Sequence, residues 1–170
     1  SIAMAAGIDI QCMQKGISAF TPEYGRLNIQ RLSPGITLID DTYNANPSSM
    51  EQALYTLAEL SSGSTRIAVL GDMLELGSQA AKLHRSIGKT VVETGIFQLF
   101  VCGEMTVHLV DGAIENGFSP DQVFCFDKSQ IAGKIAGTIH SDTWILVKGS
   151  RGMAMETIVK DLQQLLTLKA

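Results

Sequence analysis

From Ile36 onward, short apolar runs alternate with stretches of helical period, and few folds accommodate that pattern. Ile36 to Asp41, Arg66 to Leu70, Phe97 to Cys102, Gln122 to Phe126 and Trp144 to Val147 read as strands. Ser48 to Leu60, Gln79 to Thr94, Met105 to Asn116, Lys128 to Ile139 and Met153 to Leu168 read as helices. The first of these turns Met50, Leu54, Leu57 and Ala58 inward, with Ser48 or Ser49 as its N-cap, and Gly117 closes the third. Short apolar strands alternating with helices predict an α/β domain, a mostly parallel sheet covered on both faces. Right-handed crossovers then bring every strand's C-terminal end to one edge, where such folds bind ligands.

The beginning departs from this alternation. Leu27 to Leu32 and Ile36 to Asp41, joined by Ser33-Pro34-Gly35, read as a hairpin that adds one antiparallel strand. Ser1 to Ala6 reads as the tail of a helix ended by Gly7, and Asp9 caps a second helix carrying Ile10, Met13, Ile17 and Phe20. Thr21-Pro22 through Gly25 is a break and a domain boundary. A helix tail with no beginning points to a chain cut from something longer.

A length of 170 residues suits one such domain with an appendage. With 45% hydrophobic and 18% charged residues the chain packs rather than stays disordered. A net charge of -4 and a pI near 5.3 argue against nucleic-acid or anionic-membrane partners held by bulk electrostatics. No apolar run approaches the roughly 20 residues that span a bilayer, and the start lacks the basic and apolar regions of a signal peptide. Cys12, Cys102 and Cys125 are scattered, and the two in strand-like runs read as buried thiols of a cytoplasmic protein.

Chemistry gathers on the predicted edge. The run D-D-T-Y-N-A-N-P-S-S-M, Asp40 to Met50, puts two carboxylates, a phenol and two carboxamides between a strand and a helix. Side-chain alternation sends one aspartate toward the pocket and one into the packing. A carboxylate at a strand's end commonly accepts ribose hydroxyls, which suits Asp41, although Asx turns alone would also account for this loop. Lys148-Gly149-Ser150-Arg151-Gly152 sets two cations, a hydroxyl and two glycines just before a helix N-terminus, an anion-binding arrangement; its plain alternative is a solvated basic turn. Asp72 and Glu75, in Gly71 to Gly77, read as capping or supporting residues, and His84 as a packed or surface histidine. Gly103-Glu104 carries no evident chemistry. The sequence contains no phosphate-loop motif, no G-x-G-x-x-G and no His/Cys cluster with metal-ligand spacing.

These segments resemble the C-terminal part of the Mur ligases. The matching pieces are G-R-L at Gly25, L-I-D-D-T-Y-N-A-N-P-S-S-M from Leu38, I-A-V-L-G-D-M-L-E-L-G from Ile67, L-H-x-x-x-G at Leu83 and L-V-K-G-S-R-G-M-A-M-E from Leu146. The resemblance implies a Rossmann-like lid over residues 26–170, with residues 1–25 ending a central ATPase domain. It implies ATP and magnesium as cofactors, and UDP-N-acetylmuramoyl-tripeptide and D-alanyl-D-alanine as substrates joined through an acyl phosphate. The missing N-terminal and central domains of the same chain would be partners, and the 170 residues alone would be inactive. Arg26 would reach the phosphates and Asp41 the ribose, with Asn46 beside the nucleotide. Tyr43 and Asn44 would line the cleft toward the peptide substrate, and Lys148, Ser150 and Arg151 would meet the dipeptide or the acyl-phosphate end. No residue is assigned to catalysis or to metal. Two rival readings remain: a phospho-accepting receiver in which Asp72 stands beside Asp40, Asp41 and a magnesium ion, and a non-catalytic nucleotide-binding module.

Overall fold

The computed structural model describes residues 2–19 and 23–167. Phe20, the Thr21-Pro22 break and Leu168 lie outside the described residues. Two short helices come first, α1 (Ile2–Ala5) and α2 (Ile10–Ser18). Asp9 caps α2 by accepting the Gln11 N–H at 2.9 Å. None of the described residues of these two helices is buried.

A six-stranded sheet follows, built from β1 (Asn28–Ser33), β2 (Ile36–Asp41), β3 (Thr65–Gly71), β4 (Gln98–Cys102), β5 (Val123–Cys125) and β6 (Thr143–Lys148). The spatial order is β1-β2-β6-β3-β4-β5, with β1 antiparallel to β2 and every other pair parallel. The α/β class and the hairpin strand are therefore as the alternation predicts. Three crossovers run in one direction and carry α3 (Pro47–Leu60), α4 (Ala80–Glu93) and α5 (Thr106–Glu115) onto one face. The chain then returns from β5 to β6 through α6 (Lys128–Thr138), which packs with α7 (Glu156–Thr167) on the other face. That reversal leaves β6 between neighbours whose following loops turn to the opposite face, the crevice geometry in which α/β sheets take ligands.

Each face has its own core. Ile39, Ala68, Leu70, Leu99, Val101 and Leu146 meet α3, α4 and α5, while Leu38, Ile67, Val69, Phe100, Ile145 and Val147 meet α6 and α7. This is strand alternation applied to central strands apolar on both sides. α4 and α5 pack unusually closely: a Cβ on Gly88 would lie 2.2 Å from Ala113 N, and one on Gly112 would lie 2.1 Å from Arg85 O.

Several local boundaries differ from the sequence reading. Asn46, not Ser48 or Ser49, caps α3; its side chain accepts the Ser49 N–H at 2.9 Å, and Ser49 Oγ returns a bond with the Asn46 backbone. Pro47 can therefore occupy the first turn, where its missing N–H costs nothing. The last helix begins at Glu156 rather than Met153, because Arg151–Met153 form a 3-10 turn and Ala154 adopts φ 48. β5 is a three-residue edge strand, and its Cys125 is exposed rather than buried; only Cys102 of the three thiols is buried.

Candidate functional site

The entry to the domain is strapped to the Asp40–Tyr43 segment. Gly25 O accepts the Tyr43 N–H at 2.8 Å, and Leu27 N–H donates to Asp41 Oδ1 at 3.0 Å. Gly25 sits at φ 74, and a Cβ there would come within 3.0 Å of Tyr43 N. The motif G-R-L thus contains the one residue type that permits the approach. Between the two bonds Arg26 lays its guanidinium over the Tyr43 ring, 4.0 Å from the centroid, with Glu23 at 3.5 Å. Arg151 approaches the same ring at 5.9 Å.

Alternation at the end of β2 separates the two aspartates. Asp40 is fully buried; its Oδ1 accepts from Thr42 N at 3.2 Å and Thr42 Oγ at 2.7 Å, while its Oδ2 has no partner. Asp41 points to the opposite side, into a cavity. Its cross-strand neighbour is Lys148, the last residue of β6. The ammonium of Lys148 lies 2.5 Å from Asp41 Oδ2 and 3.0 Å from Asn44 O, with the residue only 2% exposed. The two cations of the expected anion-binding run part company here: Lys148 belongs to the sheet and is buried, Arg151 stays exposed, and Gly149 serves packing. A Cβ on Gly149 would meet Met155 Cγ at 2.7 Å, and one on Gly71 would meet Met155 Sδ at 2.8 Å. Nor does the run adjoin α7, since the 3-10 turn intervenes.

The remaining loops are sewn together from below. Ser150 is buried, its hydroxyl donating to Ala45 O at 3.1 Å and accepting from Leu74 N at 2.8 Å. Asp72 O accepts the Ser150 N–H at 2.9 Å, and Asp72 Oδ1 accepts the Met105 N–H at 3.0 Å. Gly103, given no chemistry in the sequence reading, sits at φ 126, and a Cβ there would fall 2.4 Å from Asp72 Cγ. His84 is fully buried; Nε2 accepts from Met73 N at 2.9 Å, so Nδ1 carries the proton and donates to Ala80 O at 2.8 Å. Asp72 and His84 are thus supports for loops, which removes the receiver alternative. A phospho-acceptor must expose an oxygen, and Asp72 is 5% and Asp40 0% exposed.

Two cavities flank the Asn44–Asn46 loop. The larger, about 670 Å³, is lined by Arg26, Asp41, Tyr43, Asn44, Asn46 and Lys148, together with Ser48, Ser49 and Gln52 from the start of α3. The smaller, about 400 Å³, is lined by Asn44, Asn46, Glu75, Ser150 and Arg151 among others. Every residue that the resemblance assigns to nucleotide or substrate therefore lines one or both, though Ser150 and Lys148 present little free hydrogen-bonding capacity. Ser48, Ser49 and Gln52 were missed as lining residues; Gln52 lies three and four positions after the serines, on one face of the first two turns of a helix leaving the edge, and that was the available signal. A helix of 14 residues with no acidic side chain in its first turn favours an anion there. Among the described residues no group of three or more His, Cys, Asp or Glu stands ready to hold a metal ion.

A family profile described as "Mur ligase, glutamate ligase domain" matches residues 25–151. The chain belongs to the Mur ligase family. It is 32% identical over 157 residues to the UDP-N-acetylmuramoyl-tripeptide–D-alanyl-D-alanine ligase of Bacillus subtilis, covering 92% of this chain and 34% of that protein. It is 31% identical over 166 residues to the enzyme of the same name from Escherichia coli, covering 96% of this chain and 35% of the other. The chain thus spans about a third of the length of these relatives. Among solved structures, MurF from Acinetobacter baumannii superposes with a TM-score of 0.77 at 28% identity, over 95% of this chain and 35% of that one. MurC from Thermotoga maritima shares the fold, with a TM-score of 0.70 at 16% identity. Among the described residues no helix is long and apolar enough to cross a membrane.

Proposed function

We propose that this Mur ligase domain is the lid of an ATP-dependent ligase that joins D-alanyl-D-alanine to UDP-N-acetylmuramoyl-tripeptide in cell-wall synthesis, a reaction of the cytoplasm. The observation that carries the reading is the larger cavity, which combines a cation, a fixed carboxylate, an aromatic ring and a helix N-terminus. That set suits a nucleotide: Arg26 and the start of α3 meet phosphate charge, and Asp41 accepts from ribose hydroxyls, with Asn46 alongside. A MurF structure of Thermotoga maritima, 22% identical, is described as a complex with ADP. Tyr43 and Asn44 face the peptide side. Arg151, in the smaller cavity, faces the dipeptide or the activated carboxyl end, with Ser150 beneath it. Among the described residues no side-chain cluster offers magnesium a ligand set, and they are assigned no part in holding it.

The strap at Gly25 and Leu27 bears on the domain boundary near residue 25. Because Arg26 is bonded into the lid on both sides, lid and arginine move as one body, and any pivot lies before Gly25. The uncovered α1 and α2 then belong with the central domain. Closure would bring Arg26 onto the phosphates and keep water from a hydrolysable acyl phosphate.

The test is kinetic, on the full-length protein containing this chain. Phosphate release should require both ATP and D-alanyl-D-alanine. Asp41→Ala should weaken nucleotide use by about ten- to a hundredfold, the worth of charged hydrogen bonds. Release that is indifferent to the dipeptide would overturn the substrate assignment, and an unchanged KM and kcat for ATP in folded Asp41→Ala would remove Asp41 from the site.

A further inference from the structure

We infer that Lys148 acts as a positioning residue, orienting Asp41 and cancelling its charge, rather than contacting substrate itself. The inference rests on the nucleotide reading of the larger cavity. Lysine is almost never fully buried unless paired, and at 2% exposure Lys148 ranks with the largest buried side chains of the core. Its ammonium has three N–H donors. Asp41 Oδ2 at 2.5 Å, Asn44 O at 3.0 Å and Asp41 O at 3.5 Å supply three acceptors. Nothing is left over for a ligand.

Asp41 is differently placed. Oδ1 takes the Leu27 N–H and Oδ2 takes Lys148, so the carboxylate is held from two directions. Each oxygen still has a second lone pair, and the residue borders the cavity with its side chain 14% exposed. A lone carboxylate there would repel a phosphate-bearing ligand. Paired with Lys148 it offers an oriented acceptor of no net charge, which selects neutral hydroxyl donors and tolerates phosphates nearby. The same ammonium fixes the Asn44 carbonyl, so one buried charge sets both the acid and the loop beside it. For Lys148 to reach a substrate it would have to abandon three acceptors and strand the Asp41 charge, which is costly in a buried site.

The measurement has two arms. In the full-length protein, Lys148→Met should raise KM for ATP at least about tenfold, as loss of a charge-assisted bond predicts, with KM for D-alanyl-D-alanine within twofold of wild type. Asp41→Asn combined with Lys148→Met should cost less than the product of the two single effects, because the stranded charge is gone. A raised KM for the dipeptide with ATP unaffected would overturn the inference, as would fully multiplicative effects. Should Lys148→Met not fold, the second arm decides. In wild type the 15N-detected Lys148 ammonium should show slow exchange that Asp41→Asn abolishes; a rapidly exchanging ammonium in wild type overturns the pair. That arm needs no turnover, so a protein without ligase activity would sink the proposed function while leaving this readout informative.

Discussion

Arg26 is held in a way that suits a group that must move a short distance. Its guanidinium rests on Tyr43 while more than half its side chain is exposed, and a stack of that kind is worth only about 0.5–1 kcal/mol. Leaving the ring for a phosphate therefore costs little, while the backbone on either side stays fixed. Arg26→Ala should lower kcat more than it raises KM for the UDP-linked precursor, because a cation that engages on closure acts mainly in the transition state. Removing one such fixed group typically costs about 10²–10³ in rate. Arg26→Lys should restore only part, having charge without the planar fork; wild-type turnover in Arg26→Ala would make the residue a bystander. Cys102 permits a prediction about pH. Burial, offset in part by the Lys128 cation and reinforced slightly by the Asp72 charge, pushes its thiol from 9.0 to about 11. Between those values the unfolded chain releases a proton that the folded chain keeps, so stability falls as pH rises from 9 to 11. Urea midpoints followed across that range should decline more in wild type than in Cys102→Ala.

At the scale of elements, the crossing of α4 and α5 is set by two glycines rather than by large side chains. Gly88→Ala or Gly112→Ala places a methyl against the partner's backbone, which cannot turn aside as a side chain would. Each should cost about 1–3 kcal/mol or more by overpacking. Gly137, also helical but with nothing within 4 Å of a Cβ, should respond oppositely, Gly137→Ala gaining about 0.5–1 kcal/mol through helix propensity and unfolded-state entropy. Chemical denaturation of the three variants checks the contrast, and a similar loss in all three would remove the close-packing account. The L-H-x-x-x-G motif thus has two structural purposes: His84 fixes Met73, and Gly88 seats α5.

For the whole molecule, the two opening helices and the sheet domain have separate fortunes. No described residue of α1 or α2 is buried, and Ile2, Met4, Ile8, Ile10 and Ile17 are exposed. Removing residues 1–22 should consequently leave the unfolding midpoint of the rest unchanged, and a shift of more than a few degrees would show packing between the two. If α1 and α2 pack on the proposed central domain, those isoleucine methyls should be protected in a protein that carries it, since an apolar helical stripe is stable only against a partner.

Much of this was legible in the order of residues. Strands and helices followed from period, because burial on one stripe or on both strand faces is a local demand on sequence. The hairpin, the edge where the loops gather and the opposite fates of Asp40 and Asp41 followed too, because alternation along a strand is local. Less legible was whatever depends on which strands lie side by side. Asp41 and Lys148 are 107 positions apart, and only the placement of β6 between β2 and β3 turns an apparent surface cation into a buried counterion. Gly103 and Gly149 likewise look like loop glycines until Asp72 and Met155 are seen to fill the space a Cβ would need. Ser150 looked like a ligand donor, yet its hydroxyl joins Ala45 to Leu74. Local pattern dictates which residues reach the sheet's edge; long-range pairing dictates which of them remain free once there, because a buried polar group must find its partner inside the fold.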